Sequence, residues 1–95
     1  MIIETPYKAT DAVTIKTISG EEIIARFVEE NDKTITIVKP MALVMAQNGP
    51  GLGPYTFTVN PDTKIKLNKA GILFVIKSDP EMGKQYIEST TGIAV

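Results

Sequence analysis

Alternation with a period of two, cut at short intervals by turn-forming residues, is what most restricts the folds open to this chain. Thr34-Ile-Thr-Ile-Val38 is β-branched throughout, with Ile35 and Ile37 alternating with Thr34 and Thr36, the pattern of a strand with one face in a core and the other outside. Val13 and Ile15 alternate with Thr14 and Lys16 in the same way within residues 12 to 18. Ser19-Gly20 supplies a glycine for the positive φ of a tight turn, and strand character resumes through Ile23, Ala25 and Phe27. Residues 21 to 30 also tolerate a helix, but Gly20 before them and Asn31-Asp32-Lys33 after them are hairpin punctuation and favour a strand. The expected product is a meander of three antiparallel strands.

Beyond Val38 the pattern is interrupted. Pro40 has no N–H to give to a ladder, so the third strand is expected to bulge or bend there before continuing to Met45. Gln47-Asn-Gly-Pro-Gly-Leu-Gly-Pro54 reads as an internal loop. Tyr55-Thr-Phe-Thr-Val59 alternates again, Asn60-Pro61-Asp62 turns, and Ile65 and Leu67 alternate with Lys64 and Lys66, which predicts a fourth, interrupted strand. Phe27, Phe57 and Phe74 are assigned to the core. After Asn68-Lys69-Ala70-Gly71, the run Ile72-Leu-Phe-Val-Ile76 is apolar on both faces, as where one face meets the core and the other a neighbouring subunit. Ser78-Asp79-Pro80-Glu81 has the capping residues and first-turn proline of a helix start, predicting a short helix over about 79–90 with Met82 and Tyr86 on one face and Gly92 as its stop.

Composition removes several function classes. The chain has no cysteine and no histidine, which leaves out thiolate and imidazole metal ligands, disulfides and Ser-His or Cys-His nucleophile pairs. With 43% hydrophobic and 22% charged residues among 95, it reads as one globular domain with a modest core, for which subunit contacts are a common supplement. The beginning, Met1-Ile2-Ile3-Glu4-Thr5-Pro6, shows neither a basic n-region nor a long apolar run, so neither export nor a membrane span is expected and the compartment is the cytoplasm. The formal net charge of −1 gives no overall attraction to phosphate, so nucleic-acid binding needs a local patch.

Three groupings of residues could carry chemistry. Gly49-Pro-Gly-Leu-Gly53 offers backbone amides but lacks the Lys-Ser/Thr of a phosphate-binding loop and precedes a strand. Glu21, Glu22, Glu29, Glu30 and Asp32 are close in sequence, but alternation puts Glu29 and Glu30 on opposite faces, and a solvated hairpin is the better reading than a magnesium or calcium site. Residues 63 to 78 carry Lys64, Lys66, Lys69 and Lys77 with no acid, a basic stretch that suits either phosphate contact or protection of exposed strand positions. Tyr55 beside the glycine-rich stretch is a candidate for stacking on a base. Neither a catalytic residue nor a metal or other cofactor is expected.

The segment Val13-Thr-Ile-Lys-Thr-Ile-Ser-Gly-Glu-Glu-Ile-Ile-Ala-Arg-Phe-Val28 resembles the first motif of the Sm and Sm-like proteins: an apolar strand, a glycine turn at Gly20, and a strand with a small residue, Ala25, near its middle. Thr5-Pro6-Tyr7-Lys8, Lys39-Pro40-Met41 and Thr90-Thr91-Gly92-Ile93 extend the likeness to small Sm-like proteins of tailed phages, among them those of marine cyanobacteria. The resemblance implies a mainly β fold, a strongly bent five-stranded antiparallel barrel over about 12–77, with the short C-terminal helix completing a single domain, 1–95. It also implies a cyclic homo-oligomer of roughly five to seven subunits in which Ile72, Leu73, Phe74, Val75 and Ile76 form the interface. Single-stranded RNA or DNA would bind near the axis through Asn31, Asp32 and Lys33 and through Asn68, Lys69 and Gly71, in the host cytoplasm if the source is a phage. The family's uridine pocket carries an aromatic residue in the turn after the second strand; this chain has none between Asn31 and Ile35. A structural or protein-interaction ring that does not bind nucleic acid is therefore the alternative expectation.

Overall fold

The computed structural model describes residues 7–91. Six strands and one helix follow in chain order: β1 Ala12–Thr17, β2 Glu22–Glu30, β3 Thr34–Ala46, β4 Gly49–Pro54, β5 Ile65–Asn68, β6 Ile72–Lys77 and α1 Pro80–Thr91, with a 3-10 turn at Lys69–Gly71 between β5 and β6. The strands form one antiparallel sheet in the order β4-β3-β2-β1-β6, and β5 pairs with the first part of β3. The protein is thus mainly β with one C-terminal helix.

The meander forms where the turn chemistry places it. Gly20 has φ 98° and donates its N–H to the Thr17 carbonyl at 3.0 Å, a conformation open to glycine at no steric cost. The inner face of the sheet then collects alternate residues: Val13 and Ile15 from β1, Ile23, Ala25 and Phe27 from β2, Ile35 and Ile37 from β3, all buried. Tyr7, Tyr55, Ile65, Leu67, Ile72 and Val75 close around them. On the opposite face, α1 lies over Ala12 and Ile24 with Tyr86 fully buried between them, and Met41, Leu52 and Ile87 complete this smaller core. The carboxylate of Asp79 accepts hydrogen bonds from the N–H groups of Glu81 and Met82, a cap that starts α1 beside Pro80. Gly83 on α1 brings the helix close to the sheet, since a β-carbon there would lie 3.8 Å from that of Ala12. The helix stop assigned to Gly92 lies outside the described residues.

At Pro40 the strand bends as expected, and the bend has a definite mechanism. Between the pairs Ile24↔Met41 and Arg26↔Val38, β3 spends two residues where β2 spends one, a bulge that sharpens twist. Lys39 takes the left-handed conformation there, φ 53°. Three contacts hold it: its N–H donates to the Pro61 carbonyl at 2.9 Å, its ammonium meets Asp62 at 2.6 Å, and its carbonyl accepts from the Tyr86 hydroxyl at 2.6 Å.

Two expectations are corrected. Residues 47–54 are not all loop: Gln47-Asn48 is a hairpin connection and Gly49–Pro54 is β4, paired with β3 from Met41↔Pro54 to Ala46↔Gly49. Proline cannot donate, so the residues exchanging ladder bonds must be the glycines, 49, 51 and 53, while Pro50 and Pro54 direct their donor-free nitrogens to the outer edge. The alternation of Gly and Pro is therefore compatible with an edge strand. Tyr55–Val59 is not a strand. With β4 on Met41–Ala46 and β5 on Thr34–Ile37, only the three bulged residues 38–40 of β3 are left on that side, too few for it to pair with. The segment instead crosses irregularly to a turn in which Asn60 Oδ1 accepts from the Asp62 N–H at 2.8 Å. Phe57 is consequently 86% exposed and Phe74 45% exposed, so of the three phenylalanines only Phe27 is in the core.

The expectation of five strands closed as a barrel also differs from what is seen. Among the described residues no ladder joins β6 to β4 or β5, and the sheet is open. The gap between the first part of β3 and the end of β1 is crossed by the 3-10 turn, through Lys69 N–H to Lys33 O at 2.8 Å and Ile18 N–H to Gly71 O at 3.0 Å.

Candidate nucleic-acid interface

The turn after β2 is built by one side chain. Asn31 Oδ1 accepts from the N–H groups of Lys33 and Thr34, both at 2.8 Å, and from the Thr34 hydroxyl at 3.3 Å, which shapes the chain reversal without a glycine. Asn68 plays the same part before the 3-10 turn, its Oδ1 accepting from the Ala70 N–H at 2.8 Å. Both asparagines predicted to touch nucleic acid thus spend their carbonyl oxygens on their own turns, leaving their amide N–H groups as the unassigned donors.

The two turns, far apart in sequence, are adjacent in space. The bond from Lys69 N–H to Lys33 O joins them directly, so Asn31, Asp32, Lys33, Asn68 and Lys69 share one end of the sheet. Gly71 ends the 3-10 turn and accepts from Ile18 through its carbonyl; its φ is not positive and open space surrounds the position of a β-carbon.

Charge on this end is balanced. Lys69 Nζ lies 2.9 Å from Glu30 Oε1, while Glu30 Oε2 accepts from the Tyr7 hydroxyl at 2.9 Å. Burial, followed by the hydrogen bond to Glu30 and the carboxylate charge, pushes the Tyr7 phenol up to about 12. The Tyr7 ring also stands edge-on to Phe27, with centroids 4.7 Å apart. Lys33 and Asp32 are exposed and make no ion pair among the described residues. Lys33 and Lys69 are therefore matched by Glu30 and Asp32.

Glu30 is read from the sequence only as one of a solvated acidic cluster, and Tyr7 is given no role at this end of the sheet. Glu30 borders the Asn31 turn, but nothing in the local pattern ties it to Tyr7, 23 residues earlier. The linear run of lysines, conversely, is dispersed by the fold. Lys66 stands on β5 opposite Thr36, and Lys77 ends β6 beside Val13, 3.9 Å from Asp11. With about 3.3 Å per strand residue, the six-residue β6 puts Lys77 on the order of 20 Å from Lys69. Tyr55 packs half-buried against the inner core, so its ring is partly committed to the interior. The only arginine, Arg26, has its Nε buried without a partner.

The apolar run of β6 departs from strict alternation, because a register shift opposite Lys16 and Thr17 breaks the period of two. Ile72 and Val75 pack against the inner core, whereas Leu73, Phe74 and Ile76 are 62%, 45% and 47% exposed. Leu73 sits at the bulge between the pairs Lys16↔Phe74 and Thr17↔Ile72. Beyond β6 there is no further strand, so its outer edge is unpaired among the described residues. A cleft of about 230 Å³ between Lys39, Pro54, Val59, Pro61 and Thr90 falls below the roughly 300–1,000 Å³ of small-molecule pockets. No helix among the described residues is long and apolar enough to cross a membrane.

No protein-family model matches this chain, and no curated protein matches it.

Proposed function

We propose that this chain is an Sm-like module that assembles with copies of itself and binds single-stranded nucleic acid, with RNA the first choice, at the end of the sheet where its two polar turns meet. It is a binding protein and not an enzyme. The observation that carries this reading is the backbone bond between Lys69 and Lys33, which holds two polar, cation-bearing turns together. The strand order, with a 3-10 turn leading into a last strand that returns beside the first, supports the Sm-like assignment. The edge of β6, unpaired among the described residues and carrying exposed Leu73, Phe74 and Ile76, supports assembly, because an apolar strand edge is a template for another chain.

One pair of lysines is a weak phosphate site, and a cyclic assembly would repeat it around an axis and concentrate the potential. Affinity would then come mainly from the phosphate backbone, falling with log salt at about 0.7 per contact for single strands. Light scattering fixes the assembly, and fluorescence anisotropy with oligo-U, oligo-A and single-stranded DNA at low salt measures binding. A stable monomer, or an assembly that retains none of the three probes, ends the proposal.

A protein-interaction ring is the second reading, favoured by the charge balance of the two turns and by the presence of a single arginine, Arg26, whose Nε is shielded on the sheet. Lys33→Glu together with Lys69→Glu separates the two. Loss of oligonucleotide retention in an intact assembly selects nucleic-acid binding, and unchanged retention selects the alternative.

A further inference from the structure

We infer that Glu30 is a built-in counter-ion that occupies Lys69 in the free protein and must release it when a phosphate of single-stranded nucleic acid arrives. The inference rests on the nucleic-acid reading above and adds to it a residue that sets how strongly the site binds.

The argument starts from the asymmetry between the two cations. Lys33 is exposed and pairs with no carboxylate among the described residues, so it is available to a phosphate without exchange. Lys69 is held in a contact of 2.9 Å to Glu30, with about a third of each side chain accessible. Glu30 is not free to swing away, because Tyr7 donates to its other oxygen at 2.9 Å and Tyr7 is itself fixed against Phe27. A phenol, an ammonium and a carboxylate thus form a three-member chain whose anchored member is the acid. Binding exchanges one ion pair for another: the Lys69 ammonium leaves Glu30 for a phosphate oxygen, and Glu30 keeps the Tyr7 hydroxyl and gains water. Glu30, anchored nearby by Tyr7, then faces the phosphate as a second anion, and its repulsion cancels part of the attraction in the bound state.

Asp32 provides the contrast within the same turn. It is exposed and unpaired among the described residues, so it contributes only to the general field. Removing its charge should help binding whether or not Lys69 is present. Removing the charge of Glu30 should help chiefly through Lys69.

The test is a double-mutant cycle on the full chain, read by anisotropy with a fluorescent oligo-U at low salt, after circular dichroism and native mass confirm an unchanged fold and assembly. Glu30→Gln keeps an oxygen for the Tyr7 hydroxyl and is expected to tighten binding about fivefold per engaged subunit, the factor for one close ion pair in water. In a Lys69→Gln background the same change should have little effect, while Asp32→Asn should help equally in both. Tyr7→Phe, which frees one Glu30 oxygen without altering charge, gives a second, smaller shift in affinity. Wild-type binding that Glu30→Gln leaves unchanged, or tightens equally without Lys69, overturns the counter-ion role and leaves the binding reading intact. If no variant binds any oligonucleotide, both fall. Binding by Glu30→Gln alone, with none by the wild type, supports the counter-ion and makes it the dominant control.

Discussion

Replacing Tyr86 by Phe isolates one hydroxyl on which the bend of β3 depends. Tyr86 is fully buried between α1 and the sheet, and its hydroxyl donates to the Lys39 carbonyl at 2.6 Å. Phenylalanine keeps the ring contacts with Ala12, Ile24 and the surrounding apolar residues, so the transfer term is nearly conserved and the hydrogen bond is what changes. Its net worth is about 0.5–1.5 kcal/mol, and stranding a shielded carbonyl can raise the cost to about 1–3 kcal/mol. The carbonyl belongs to Lys39, whose left-handed conformation already costs about 1–2 kcal/mol and is tolerated because the helix, Pro61 and Asp62 all hold it. A loss of about 2 kcal/mol follows, equivalent to a fall in Tm of roughly 8–16 °C for a domain of this size. Urea unfolding followed by far-ultraviolet circular dichroism measures it, at one protomer concentration because assembly shifts apparent stability. Burial holds the Tyr86 phenol above its ordinary range, against a smaller opposing effect of the Arg26 charge, so the difference should persist from neutral pH to pH 9. A loss below about 0.5 kcal/mol would mean that the helix does not hold the bend.

Three further outcomes follow from particular positions. Gly20→Ala should destabilise by about 1 kcal/mol or more, because φ is 98° there, whereas Gly71→Ala, with ordinary φ and open space, should stay within about 0.5 kcal/mol; paired denaturant curves compare them. Tyr7 titrates near 12 instead of 10.0, and a raised phenol contributes stability that is complete below the unfolded value and lost as pH rises from about 10 through about 12. Absorbance at 295 nm should show this late ionisation, and it should move earlier in Glu30→Gln. Leu73→Lys with Ile76→Lys, at exposed positions, should abolish assembly in native mass spectrometry while leaving the unfolding transition of the protomer within about 1 kcal/mol.

Where sequence reasoning succeeded, the determining interactions were local. Gly20, the Asn31 turn and the Asp79-Pro80 cap each act within a few residues, and the alternation in β1, β2 and β3 gives the inner face, Val13, Ile15, Ile23, Ala25, Phe27, Ile35 and Ile37, while Ala12, Ile24 and Thr36 are buried on the other face. The two misassigned segments are both matters of partners. Gly49–Pro54 has the composition of a loop, and its strand character appears only once β3 supplies acceptors and donors for the glycines and solvent is left to the prolines. Tyr55–Val59 has the composition of a strand but finds only the three bulged residues 38–40 of β3 left by β4 and β5. Propensity describes what a segment tolerates, whereas ladder hydrogen bonds require a second segment in register. The candidate site divides in the same way. Its two turns were legible from Asn31 and Asn68, while the Tyr7–Glu30–Lys69 chain links residues that only tertiary structure brings together.

The edges of the sheet bear on how copies could join. The outer side of β4 presents Pro50, Leu52 and Pro54, so only one of three outward residues can donate a hydrogen bond, and that edge is poorly suited to strand addition. The outer edge of β6 has no proline and three exposed apolar side chains, and among the described residues β5 is paired on one side only. If strands add at all, the favoured contact sets β6 of one copy against β5 of the next, joining different surfaces head to tail. Such a contact cannot stop at two copies, because each addition leaves the same two edges open at the ends. It ends in a ring if the rotation per copy closes and in a filament if it does not. A single mass independent of concentration indicates closure, whereas a mass that grows with concentration indicates an open chain and removes the axis on which the nucleic-acid proposal depends.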